Sequence, residues 1–170
     1  MNLNIDGLLL KKDYAVLGQP IGLLVALIIA TIIIALFSAS IHHLMSDMQV
    51  HDIERQIDTI LLEATTMFEY ADEGSLVSIQ VTFPVSMRFI VFGDYPRNGT
   101  IEPGNRILDE NTTNNYYYVM DDGSIHTFHS NARFSNYNMT QITVFYPGTY
   151  TIILELCQKE GKTYVTMSEG

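Results

Sequence analysis

Between Asp13 and Asp47 the chain carries no Asp, Glu, Lys or Arg, and residues 21–44 are almost wholly apolar. As a helix rising about 1.5 Å per residue, that run reaches roughly 36 Å, against a hydrocarbon core of about 30 Å. It is long enough to span a bilayer with some tilt. A cleaved secretory signal needs only about 7–15 apolar residues before a small-x-small site. Ser38-Ala39-Ser40 offers such a site, but the run preceding it is long for that role. Lys11 and Lys12 stand before the run, and Asp47, Asp52 and Glu54 follow it. Because Lys and Arg favour the cytoplasmic side, the expected topology is single-pass, with the N-terminus inside and the bulk of the chain outside. Membrane lipid is therefore an expected partner.

The charge distribution narrows the remaining partners. Nineteen acidic residues face nine Lys and Arg, a net charge of −10. Lys11 and Lys12 offset Asp6 and Asp13, so the whole excess falls after the span. Nucleic acid is excluded as a partner on this balance, since phosphate binding requires a basic surface. Cys157 is the one cysteine, so no internal disulfide can form, and its setting reads as a small strand residue rather than a nucleophile. Three Asn-x-Thr sequons, at Asn98, Asn111 and Asn138, all follow the span in turn-like contexts and are candidate glycosylation sites.

After the span, Ile53, Ile57, Ile60, Leu61, Ala64, Met67, Phe68 and Ala71 recur at three- and four-residue steps, with Glu54, Arg55, Asp58 and Glu63 between them. This is the pattern of a helix with one apolar face. With no Pro or Gly between Leu23 and Glu73, one helix is expected over about residues 20–70, with Gly74 as its C-terminal cap. From residue 76 the period changes. In "LVSIQVTF", Val77, Ile79, Val81 and Phe83 share one face, and "SMRFIVFG" follows as a second run. "NNYYYVMDDGSIHTF" reads as strand, Asp-Gly turn and strand, and "QITVFYPGTYTIILELCQKEGKTYVTM" gives three more runs with turns at Pro147-Gly148 and near Gly161. Residues 94–115 read as a long surface connection. The expected fold is α+β: a long N-terminal transmembrane stem helix followed by an antiparallel β-sandwich-like outer domain of about seven strands. Its divisions are a cytoplasmic leader (1–14), a transmembrane helix (15–46), an amphipathic extension (47–74) and a β-rich domain (75–170).

Catalytic and metal chemistry find little support. His43, Asp47 and His51 lie at four-residue steps, but the outer two are too far apart for one ion, and polar residues just outside a membrane account for them. His126 and His129 fall on opposite faces of a strand. Asp109, Glu110, Asn111, Asp121 and Asp122 lack the ordered spacing of a calcium loop. No nucleophile elbow, phosphate-binding Gly loop or His-Glu-x-x-His is present, so no enzymatic activity and no cofactor are expected. The aromatic residues Tyr116, Tyr117, Tyr118, Phe128, Phe134, Tyr137, Phe145 and Tyr146 read as core and cross-strand packing in preference to a binding surface.

The run "KKDYAVLGQPIGLLVALIIATIIIALF" resembles the N-terminal segment of archaeal type IV pilins and pilin-like proteins, in which a short basic leader precedes an Ala-Val…Pro-Ile-Gly motif and an unbroken apolar helix. The matching positions are Lys11, Lys12, Asp13, Ala15, Val16, Pro20, Ile21 and Gly22. The resemblance implies a processing region that also takes in Gly18 and Gln19, where a prepilin peptidase would cut on the cytoplasmic side and leave the apolar helix on the mature subunit. It further implies packing with identical or related subunits through that helix, beneath a β-rich, often glycosylated outer domain. The alternative reading is a monomeric membrane-anchored surface module that binds a ligand or partner through its β domain.

Overall fold

The computed structural model describes residues 6–97, 103–104 and 106–170, with side chains described from residue 21 onward except at 42, 43, 46 and 47. Among the described residues a single helix, α1 (Asp6–Tyr70), precedes eight strands. The chain divides into two compact units, Met1–Asp47 and Met48–Gly170, and each is taken by itself.

In the first unit, α1 begins well before the expected start at residue 20. Leu8, Leu9, Leu10, Lys11 and Lys12 are all strong helix formers, and they carry the helix through Pro20, whose missing N–H removes one intrahelical bond. The segment expected as a cytoplasmic leader is therefore helical from Asp6. The far end of α1, at Tyr70, falls where it was expected, but Gly74 does not cap it. The last intrahelical bond is donated by Ala71 N to Met67 O at 3.0 Å, so Gly74 lies beyond the helix. Gly74 has φ +86° in a tight turn closed by Ser75 N donating to Asp72 O (3.1 Å), and its own N–H donates to Leu156 O (2.8 Å). It is a turn glycine leading into the first strand rather than a cap.

In the second unit the strands form two four-stranded sheets. One contains β1 (Leu76–Phe83), β7 (Gly148–Lys159), β8 (Lys162–Glu169) and β5 (Phe134–Asn136), in that order. The other runs β4 (Ile125–His129), β3 (Asn115–Met120), β2 (Met87–Phe92) and β6 (Thr143–Phe145). Seven of these strands coincide with the runs read from sequence. The eighth, β5, is three residues long and pairs parallel to β8 with Phe134 opposite Val165, so the first sheet is not purely antiparallel. Three residues are too few for an alternation signal, and tertiary hydrogen bonds hold β5 instead: Phe134 N donates to Thr113 O and Val165 N to Arg133 O, both at 2.7 Å.

One core joins these elements. Ile53, Ile57, Ile60, Ala64 and Met67 of α1 are buried with Val81 and Phe83 of β1, Ile152, Leu154 and Leu156 of β7, and Met87, Ile90, Phe92, Tyr116, Tyr118 and Phe145 of the second sheet. The helix positions recur at steps of four and three, which places them on one stripe. A second cluster of Phe89, Val91, Tyr117, Val119 and Ile142, with Leu108 and Val144 against it, covers the opposite face of the second sheet. Both faces of β2 and β3 are thus buried, which is why "FIVF" and "YYYVM" read as continuous apolar runs rather than alternating ones.

The long connection over residues 93–114 supplies Leu108 to that second cluster and is pinned by charge. Asp94, 1 % exposed, accepts from Arg106 Nη1 at 2.9 Å and pairs with Arg97 at 3.6 Å, and Arg97 in turn reaches Asp109 at 3.6 Å. Leu108 N donates to Thr140 O at 2.9 Å, tying the connection to the loop before β6.

Candidate functional site

Within α1, Ile21–Ile41 is long and apolar enough to cross a membrane, a property shared by a permanent span and a signal sequence. Every residue of this segment is exposed, Leu23 by 73 % and Phe37 by 69 %. Its two hydroxyl side chains that bond do so within the helix: Thr31 Oγ1 donates to Leu27 O at 2.8 Å and Ser40 Oγ to Leu36 O at 3.0 Å. Both polar groups are thereby satisfied without water, as an apolar surrounding requires. Of the positions expected to form a processing region, Lys11, Lys12, Asp13, Ala15, Gly18, Gln19 and Pro20 lie on α1 with side chains outside the described set. Gly22 is described, and a side chain placed there would meet nothing within 4 Å.

Two of the three sequons fall on exposed turns, and Asn98 lies outside the described residues. Asn111 is exposed, and its N–H donates to Asp109 Oδ1 at 3.1 Å. Asn138 is exposed in a loop held by Asn136 Oδ1, which accepts from Thr140 N (3.0 Å) and Gln141 N (3.1 Å). The Leu108–Thr140 bond brings the two loops side by side.

The acidic and imidazole groups considered for metal binding are mostly engaged elsewhere. Asp109 pairs with Arg97, Glu110 with Lys162, and Asp122 is held by Ser124, whose side chain first and backbone N–H second (2.8 Å to Oδ1) lower the Asp122 pKa. His126 stacks on Tyr118, with ring centroids 4.7 Å apart and planes 9° apart, while His129 bonds Asn114 and Asn115 at 3.2 Å. The side chains of His43 and Asp47 lie outside the described set, and His51 is exposed. Among the described residues no group of three or more His, Cys, Asp or Glu converges as a metal site would. Cys157 is half-buried, its Sγ 3.9 Å from Thr166 Oγ1, and burial is the main cause of a raised thiol pKa, which keeps it protonated.

The aromatic residues divide between core and surface. Tyr116, Tyr117, Tyr118, Phe134 and Phe145 are buried, with Phe128 packed against the cluster that holds all of these but Tyr117, whereas Tyr137 and Tyr146 are more than half exposed. A feature not apparent from the sequence emerges where Tyr116 and Tyr118 meet α1. Glu54, Ile57 and Asp58 on the helix and Tyr116, Tyr118 and Phe128 on the second sheet line an open cleft of about 190 Å³. Tyr116 stacks on its cross-strand partner Phe128 at 5.2 Å. The Tyr118 hydroxyl is buried without a hydrogen-bond partner. Burial, then the charges of Asp58 and Glu54, push the Tyr116 pKa up to about 12; burial, then Glu54, do the same for Tyr118. Both phenols are neutral at ordinary pH. The helical spacing of Glu54 and Asp58 was legible, but their meeting with this part of β3 is a tertiary event.

Comparison of the chain with protein-family models, with curated proteins and with solved structures finds no match.

Proposed function

We propose that this chain is a membrane-anchored cell-surface protein, a structural or minor subunit of an archaeal type IV pilus-like filament. The observation that carries the reading is the uniformly exposed apolar segment Ile21–Ile41, set in a chain whose cores, among the described residues, are built from residues 50–167. Such a surface is unfavourable in water at about 25 cal/mol per Å², and lipid or neighbouring helices are the environments that relieve it. The pilin-like leader motif supports subunit packing over simple anchorage. In this reading the two sheets form a sandwich-like outer domain, supported by the core to which both contribute. Exposure of Asn111 and Asn138 is consistent with glycans on that domain.

Mass spectrometry of the N-terminal peptide recovered from membranes is the deciding experiment. A pilin-like subunit gives a new N-terminus between residues 12 and 20, near Ala15 or Gln19, with the apolar segment retained. Since the region is helical, cleavage requires local opening of α1 there. A mature N-terminus at Ile41 overturns the proposal, because the apolar segment is then discarded. An intact Met1 favours the monomeric anchored module instead, and electron microscopy of labelled cell surfaces then distinguishes filament from scattered protein.

A further inference from the structure

We infer that the cleft between α1 and β3 binds a primary alkylammonium group, held by the Glu54 and Asp58 carboxylates and the Tyr118 hydroxyl, with its alkyl stem against Tyr116 and Phe128. The cleft lies wholly within Met48–Gly170, so the inference stands apart from the filament reading. Three features converge on this chemistry. Glu54 and Asp58 are one helical turn apart and project to the same side. Among the described residues neither has a salt-bridge partner, since the one ion pair on this stretch of α1 joins Arg55 to Asp52. Second, the Tyr118 hydroxyl is buried beside Glu54 with no donor to its oxygen, and burial first, then the Glu54 carboxylate as a nearby charge and acceptor, raises its pKa. A buried polar group without a partner is costly, and an incoming donor removes that cost. Third, the remaining walls are aromatic and aliphatic, which suits the face of a cation and its hydrocarbon stem.

The chemistry of the lining also excludes other occupants. An anion meets two carboxylates, and a neutral ligand leaves them uncompensated. A divalent cation stripped of its water needs six or more oxygen ligands, whereas half of this lining is Ile57, Phe128 and the ring of Tyr116. A primary ammonium carries three N–H donors, matching the three acceptors. Such a group comes from a free amine or from a lysine side chain of another polypeptide.

The test uses the full chain in non-ionic detergent micelles, labelled with ¹³C in the tyrosine rings and titrated with n-butylammonium chloride at neutral pH. Saturable shifts of the Tyr116 and Tyr118 signals are expected, and neither n-butanol nor sodium chloride at equal concentration should reproduce them. Glu54→Gln should weaken binding about tenfold, the scale of losing one charge-assisted hydrogen bond. Asp58→Asn, at an exposed position, should weaken it in the same direction. Tyr118→Phe should weaken binding while leaving the thermal midpoint unchanged or higher, because it removes a buried oxygen that has no partner. Tighter binding of Nα-acetyl-lysinamide than of butylammonium assigns the group to a protein lysine, and the reverse order assigns it to a free amine. Absence of saturable shifts, equal shifts with n-butanol, or unchanged affinity in both Glu54→Gln and Tyr118→Phe overturns the inference.

Discussion

At the scale of single residues, two glycines show how different demands select the same residue. Gly123 (φ +85°) closes the β3–β4 hairpin, with its N–H donating to Met120 O at 3.0 Å, but open space surrounds the position a Cβ would take. Gly93 (φ +91°) combines positive φ with close approach, since a Cβ there would sit 2.8 Å from Phe134 O. Alanine at Gly123 should therefore cost about 1 kcal/mol of backbone strain, and alanine at Gly93 distinctly more. Equal shifts in urea midpoint for the two variants would contradict this account. Gly123→Val should exceed Gly123→Ala, because β-branching tolerates positive φ poorly. The buried tyrosines make a further residue-level prediction. With Tyr116 and Tyr118 held near pKa 12 against 10.0 for a free phenol, the folded state keeps protons that the unfolded state has released. Their contribution is complete below pH 10 and is lost as pH rises through 12. Stability should fall across that window, and ultraviolet titration should show the Tyr116 and Tyr118 phenols ionising only near pH 12.

At the scale of elements, α1 between residues 48 and 70 is the clearest case of pattern dictating packing. All eight apolar positions read from its periodicity are buried in the main core or packed against it. Ile60 is wholly buried and Leu62, two residues on, is 67 % exposed. Ile60→Ala should cost about 2–5 kcal/mol through the cavity it leaves, whereas Leu62→Ala should stay within about 0.5 kcal/mol. Chemical denaturation of both variants checks the assignment of faces. The edge strand β1 shows a side chain serving an element: Gln56 Oε1 of α1 accepts from Thr82 N at 3.3 Å, occupying one N–H that the sheet edge leaves open.

At the scale of the molecule, the main core draws on α1, both sheets and the segment before β5, all within Met48–Gly170. Removal of residues 1–46 should thus leave a soluble chain that keeps its β-type circular dichroism and unfolds cooperatively. An aggregating fragment without that signal would show that the second unit depends on the first. Acidity assists solubility, because the net charge of −10 resides in the part that remains.

The apolar helix, the amphipathic stripe, seven strands and the Asp-Gly hairpin follow from the sequence because each rests on local periodicity or local backbone chemistry, which a few adjacent residues specify. Gly161 likewise sits in its expected turn, after Glu160, with φ +75° and +53° respectively. What tertiary structure alone decided depends on partners distant in the chain. Strand β5 exists through bonds to Thr113 and to β8; Asp94 is buried because Arg106 and Arg97 reach it; Gly74 turns the chain where Leu156 accepts its N–H. The acidic aromatic cleft belongs to the same class, since Glu54 and Tyr118 are far apart in sequence and acquire a shared chemistry only when the helix stripe seats on the second sheet.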